Sequence, residues 1–84
     1  MRLEFKQRAF EDLQYWVANQ PRIAKRLMKL IEDTQRDPFG GIGKPEPLKG
    51  SLSGWWSKRI DGEHRLIYQV EGDRLVIAQA RGHY

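Results

Sequence analysis

The fold is decided by residues 55–80, WWSKRIDGEHRLIYQVEGDRLVIAQA. Trp55–Ile60, His64–Val70 and Arg74–Ala80 are runs rich in aromatic and β-branched residues, the types that fit a pleated, half-buried surface. Asp61-Gly62 and Gly72-Asp73 stand between them and supply tight turns. The spacing predicts a three-stranded antiparallel meander. If Asp61, Gly62 and Glu63 form a three-residue connection, Ile60 pairs with His64 and Arg59 lies opposite Arg65 on one face. Like charges placed directly across two strands repel. An anion is therefore expected nearby, either a carboxylate such as Glu46 or Asp61 or an external phosphate, which suits the planar guanidinium fork. The alternative is two solvated arginines splayed apart. On the last run Leu75, Ile77, Gln79, Arg81 and His83 share one parity, which sends Arg81 and His83 to the same side, toward Arg65.

Upstream, Arg2–Phe5 alternates charged and apolar residues and reads as a short opening strand. Residues Gln7–Asn19 carry Phe10, Leu13, Trp16 and Val17 at helical spacing, and Phe10 is expected in the core. Pro21 opens a second helix, where its missing N–H is harmless. Ile23, Leu27, Leu30, Ile31 and Thr34 form its apolar stripe, and Arg22, Lys25, Arg26 and Lys29 its outer face. Asp37-Pro38 ends it, since the residue before proline resists the α conformation. Phe39–Gly54 holds Gly40, Gly41, Gly43, Gly50, Gly54, Pro45 and Pro47 with little periodicity, and reads as a long functional loop. The expected fold is α+β: two N-terminal helices packed on one face of a four-stranded antiparallel sheet.

The chain has 84 residues, read as a single domain over 1–84. A chain of this size buries roughly 60–65% of the surface it exposes when unfolded, enough for one two-layer core. Cysteine is absent, which rules out disulfides and thiolate metal sites and fits a reducing cytoplasm. No long apolar run suggests a membrane span, and the charged first ten residues do not read as a signal peptide. Fifteen basic residues against eleven acidic ones give a net charge of +4, which favours a polyanionic partner; an acidic protein or an anionic membrane surface would fit the charge as well. The glycines at 40–43 lack the Gly-Lys-Ser/Thr ending of a phosphate-binding loop, and neither zinc-ligand spacing nor a serine triad is present. The loop and meander together suggest a basic site built from Lys44, Glu46, Lys49, Arg59, Arg65, Arg81, His83 and Tyr84. Trp16, Trp55 and Trp56 read as core or sheet-edge residues, and His64 as an outward-facing or hairpin-capping one.

Three stretches and the terminus carry a resemblance: Gly43-Lys44-Pro45-Glu46-Pro47-Leu48-Lys49, then Leu52-Ser53-Gly54-Trp55-Trp56-Ser57-Lys58-Arg59-Ile60, then Glu63-His64-Arg65-Leu66-Ile67-Tyr68, and the final His83-Tyr84. In order and spacing they resemble the YoeB-type toxins of the RelE superfamily, from the first helix to the last residue. That resemblance implies a microbial-ribonuclease-like RelE fold. It implies the toxin half of a toxin–antitoxin pair, a ribosome-dependent endoribonuclease that cuts mRNA in the ribosomal A site. A YefM-like antitoxin would be its partner, and a homodimer through leftover apolar helix positions is plausible. By position, Glu46 matches the family's general base, Arg65 its phosphate-stabilising arginine, His83 its general acid and Tyr84 a substrate-positioning terminal residue. Lys49 and Arg59 match residues of the same basic face, to which Lys44 and Arg81 are added as RNA- or ribosome-binding groups. Two departures stand out. Gly82 replaces a bulkier residue, which would loosen the tail, and Gly50-Ser51 replaces a bulkier pair.

The chemistry implied is attack of the ribose 2′-OH on the adjacent phosphate, giving a 2′,3′-cyclic phosphate and a 5′-OH, with no cofactor or metal expected. A base, an acid and cations on the equatorial oxygens are what it needs. Two other readings stay open: a toxin that binds gyrase without catalysis, as ParE toxins do, and a plain RNA- or ribosome-binding module with steep salt dependence.

Overall fold

The computed structural model describes residues 1–83. Its elements are β1 (Arg2–Phe5), α1 (Gln7–Asn19), α2 (Pro21–Arg36), β2 (Glu46–Pro47), a 3-10 turn at Gly50–Leu52, β3 (Trp56–Arg59), β4 (Arg65–Glu71) and β5 (Arg74–Gln79). The strands form one sheet in the order β1-β5-β4-β3-β2. The two helices cover one face, as the two apolar stripes require.

Two features correct the expectation of four antiparallel strands. First, β1 joins the sheet beside β5 and runs parallel to it, with Leu3 opposite Leu75 and Phe5 opposite Ile77. The chain turns back at each connection from β1 through α1, α2, β2, β3 and β4 to β5. An even number of reversals leaves the last strand pointing the same way as the first. Second, the long loop contains a strand of its own, β2, which pairs antiparallel with β3 through Glu46–Ser57 and Pro47–Trp56. Proline is tolerated there because β2 is an edge strand.

The helix-side core gathers Ala9, Trp16, Leu27, Leu30, Ile31, Leu66, Tyr68, Leu75 and Ile77. In α2 the expected stripe holds, with Ala24 joining Leu27, Leu30, Ile31 and Thr34 as its buried residues. Thr34 is satisfied by donating its hydroxyl to the Leu30 carbonyl at 2.7 Å. In α1 the buried face is rotated from the expected one. Ala9, Asp12 and Trp16 are buried, whereas Phe10 is 47% and Val17 56% exposed. The rotation has a polar cause: the Asp12 carboxylate accepts the backbone N–H of Ala80 at 2.9 Å, and that bond requires Asp12 to face the sheet.

The meander has the expected hairpin register. Arg59 pairs with Arg65, Lys58 with Leu66 and Ser57 with Ile67. Between β4 and β5 the register shifts: Ile67 pairs with Gln79 but Tyr68 with Ile77, so Ala78 is the extra residue of a β-bulge. The bulge flips every side chain after it. Leu75 and Ile77 face the helices, while Gln79 shares the opposite face with Ile67. The expected common parity of Leu75 through His83 therefore fails at Ala78.

Candidate active site on the open face of the sheet

The face away from the helices carries the site. Residues paired directly across strands share a face, so Glu46, Ser57, Ile67 and Gln79 form one row across β2, β3, β4 and β5. Arg59 and Arg65 form the next row toward the Asp61–His64 turn. The His83 carbonyl accepts from Gln79 Nε2 at 2.8 Å, which ties the tail to the far end of the Glu46 row. Three strand spacings separate β2 from β5, roughly 14 Å of backbone. Glu46 on β2 and the His83 backbone beyond β5 thus lie on either side of the Arg59–Arg65 pair carried by β3 and β4.

The loop that delivers Glu46 is anchored from below. Lys58 faces the helices beside Leu66, its side chain 0% exposed, with Nζ 3.7 Å from Asp33 Oδ2 and 3.3 Å from the Asp37 carbonyl. Burial pushes its pKa below the ordinary lysine value, against the opposing pull of Asp33 and Asp37. Asp33 Oδ2 also accepts the Ile42 N–H at 3.0 Å, and Arg59 N–H donates to the Gly43 carbonyl at 2.6 Å. Gly43 has φ +90, and a Cβ there would sit 3.0 Å from Leu30 Cδ1 and Lys58 Cβ, so only glycine fits without displacement. The Tyr68 hydroxyl donates to the Pro38 carbonyl and closes the loop's start.

The arginine pair is not neutralised by the carboxylates considered above. Among the described residues, no carboxylate forms an ion pair with Lys44, Lys49, Arg59, Arg65 or Arg81, and Glu46 has no cationic partner. Asp61 instead caps the hairpin, accepting the N–H groups of His64 at 2.7 Å and Glu63 at 2.8 Å. Burial opposes its ionisation, yet those two donors and the nearby Arg26 outweigh it and hold its pKa below the ordinary value. Arg65 Nη1 donates to the Asp61 and His64 carbonyls at 2.9 and 3.2 Å, which orients the guanidinium. One nitrogen used this way leaves Arg65 with donors for an anion. Lys44 and Lys49 flank β2 and are exposed, Lys44 at φ 52.

The structure brings Glu46, Arg59, Arg65 and the His83 backbone to one face. It does not bring Arg81 there. The Arg81 guanidinium lies 3.5 Å from the centroid of the Tyr15 ring, against α1, beyond the end of β5 at Gln79. Tyr84 lies outside the described residues. Gly82 takes φ +84, a conformation that side chains avoid, and its N–H and carbonyl are both hydrogen-bonded, to His64 Nδ1 at 2.8 Å and Arg65 N–H at 2.9 Å.

Three supporting residues escaped the sequence reading. Lys58 was signalled by its place between Trp56 and Ile60 in a strand whose alternate residues are apolar. Asp12 was signalled by its helical spacing between Ala9 and Trp16. His64 turns inward, its ring edge-on to Trp16 with centroids 4.7 Å apart, and no sequence signal marks that.

The helices thus lie on one face of a mixed sheet, with an unneutralised basic patch and one carboxylate on the other. Comparison with known proteins identifies the class. A family model described as the YoeB-like toxin of bacterial type II toxin-antitoxin system matches residues 5–84. The toxin YoeB of Streptomyces coelicolor is 54% identical over 84 residues, covering 100% of both chains. A YoeB/ParE toxin structure from Agrobacterium tumefaciens superposes with a TM-score of 0.97 at 42% identity, over the full length of both chains. The Staphylococcus aureus toxin, solved in a heterotetrameric YoeB–YefM complex, has a TM-score of 0.91 at 39% identity over 100% of this chain and 98% of its own; it has also been solved as a YoeB dimer. The chain belongs to the YoeB-like toxin family of bacterial type II toxin–antitoxin systems.

Proposed function

We propose that the chain is a ribosome-dependent endoribonuclease that cleaves mRNA in the decoding site. The observation that carries this reading is the arrangement of Glu46 and the His83-bearing tail on opposite sides of the Arg59–Arg65 pair, on one exposed face. Glu46 takes the proton of the ribose 2′-OH, and the freed O2′ attacks the adjacent phosphorus. Arg65, with Arg59 beside it, stabilises the charge that builds on the equatorial oxygens. His83 gives its proton to the departing 5′-oxygen. One P–O bond forms and one breaks, leaving a 2′,3′-cyclic phosphate and a 5′-OH. Tyr84 is proposed to position the substrate, and Lys44 and Lys49 to meet RNA phosphates at the rim. Arg81 is assigned to the ribosome-facing edge, since its stacking on Tyr15 takes it off the open face.

A YefM-like antitoxin is the proposed partner, as in the Staphylococcus aureus complex. A homodimer is proposed alongside it, in line with the dimer of that toxin. It would use apolar surface left exposed on the helices, such as Phe10, Val17 and Met28. The cytoplasm, where ribosomes and mRNA meet, is the proposed location. Among the described residues no helix is long and apolar enough to cross a membrane.

The test is single-turnover cleavage by programmed ribosomes with Glu46→Ala and His83→Ala. General acid and base groups contribute on the order of 10²–10⁴-fold each, and losses of that size with unchanged melting temperature are expected. Wild-type rates in both variants refute the roles. Tight binding to ribosomes or gyrase with no cutting by the wild type would favour a docking module.

A further inference from the structure

We infer that His64 is a positioning residue of the proposed cleavage site, holding the His83-bearing tail in register with Arg65 through the Gly82 backbone. The inference rests on the ribonuclease reading for its consequence, and on geometry alone for the contact. Beyond β5 the tail backbone is held largely by side chains. Ala80 N–H goes to Asp12 and its carbonyl accepts Trp16 Nε1–H at 2.9 Å. The Arg81 carbonyl accepts Arg8 Nη2 at 2.9 Å and Gln79 Nε2 at 3.0 Å. At Gly82 the dipeptide His64-Arg65 grips the chain from both sides: His64 Nδ1 accepts the Gly82 N–H and Arg65 N–H donates to the Gly82 carbonyl.

The second grip is backbone and survives any side-chain change. The first depends on one imidazole nitrogen. Gly82 has no Cβ, and a Cβ placed there would meet nothing nearer than Gln79 Nε2 at 3.9 Å, so packing does not hold it. The acceptor does. For Nδ1 to accept, a neutral His64 ring must carry its proton on Nε2. That nitrogen points toward Glu63 Oε1 at 3.8 Å, and the ring is fixed edge-on to Trp16 with its side chain only 16% exposed. The ring is therefore held in place by its packing, as a positioning group has to be, and the Gly82 bond selects its tautomer. One peptide bond joins Gly82 to His83, and one joins His64 to Arg65. The spacing of the proposed acid and the proposed phosphate arginine is thus set by two hydrogen bonds to Gly82, of which only the one to His64 Nδ1 depends on a side chain.

The discriminating pair is His64→Phe, which keeps a ring against Trp16 without an acceptor, and His64→Asn, whose Oδ1 can take the place of Nδ1. In the wild type, imidazole ¹⁵N spectra should show the Nε2–H tautomer, and the Gly82 amide should exchange slowly. His64→Phe should release the Gly82 amide, and His64→Asn should restore its protection. In the ribosome assay His64→Phe should lose kcat on the order of 10²-fold, the scale of a misplaced group, with KM unchanged within about twofold. His64→Asn should recover about tenfold of that loss. An unprotected wild-type Gly82 amide, a His64→Phe variant with wild-type kcat, or a His64→Asn variant no better than His64→Phe overturns the inference. A wild type that cuts no RNA defeats the ribonuclease reading instead, and the amide exchange then decides the contact by itself.

Discussion

Replacing Asp12 with alanine tests how the tail is held. Asp12 is 4% exposed, and its carboxylate serves two partners. It accepts the buried Ala80 N–H at 2.9 Å and Arg8 Nε at 3.0 Å. Asp12→Ala leaves the Ala80 N–H buried without an acceptor, which costs about 1–3 kcal/mol. Loss of the Arg8 pair adds only about 0.3–0.5 kcal/mol, because the Arg8 side chain is more than half exposed and water screens it. The expected total is about 2–3 kcal/mol. At about 4–8 °C per kcal/mol for a domain of this size, the melting temperature should fall by roughly 10–20 °C. Two controls apportion the loss. Asp12→Asn keeps an acceptor for Ala80 and should cost under about 1 kcal/mol, and Arg8→Ala no more than about 0.5 kcal/mol. Urea unfolding followed by tryptophan fluorescence measures all three. Asp12→Ala no worse than Arg8→Ala would refute the claim that the Ala80 bond, and not the ion pair, is what Asp12 contributes.

Two further outcomes concern the fold and its pH response. Phe10→Ser should cost under about 1 kcal/mol and Leu27→Ala about 2–5 kcal/mol in the same unfolding assay, since Phe10 is half exposed and Leu27 fully buried; equal losses would restore Phe10 to the core. Asp61, whose pKa is depressed in the fold, stabilises the hairpin above its unfolded pKa of about 3.9, and that contribution is lost as pH falls through its lower folded value. Asp61→Ala should therefore cost about 1 kcal/mol near neutrality and flatten the acid limb of stability against pH; an unchanged acid limb contradicts the assignment.

Local pattern made much of the fold legible. Arg2–Phe5 and Gln7–Asn19 are the observed limits of β1 and α1, because alternation and helical spacing are sharp there. The Arg59–Arg65 pairing follows from the length of the Asp61-Gly62-Glu63 connection alone. What stayed hidden depends on tertiary partners. The bulge at Ala78 lies in a run with no glycine, proline or charge to mark it, and it is what turns Gln79 to the open face. β2 is two residues long and half proline, too short for a period, although it is what places Glu46. The face of α1 turned on Asp12, a residue that hydropathy assigns to solvent and the Ala80 N–H assigns to the interior. Of the candidate site residues that the family resemblance supplied, the structure brings Glu46, Arg59 and Arg65 to one face and takes Arg81 off it. The supports of the site, Lys58 beneath the loop and His64 beneath the tail, were not legible, since their roles are hydrogen bonds to backbone.

The central claim is best tested by the chemistry of the cut ends. Purified protein is incubated with a defined mRNA, free and on programmed ribosomes, with EDTA in the free-RNA arm, and both new termini are characterised. The account predicts cuts within the displayed codon, appearing with ribosomes, that leave a 2′,3′-cyclic phosphate and a 5′-OH. A 3′-OH with a 5′-phosphate, or no cut in either arm, would contradict attack by the 2′-OH between Glu46 and His83.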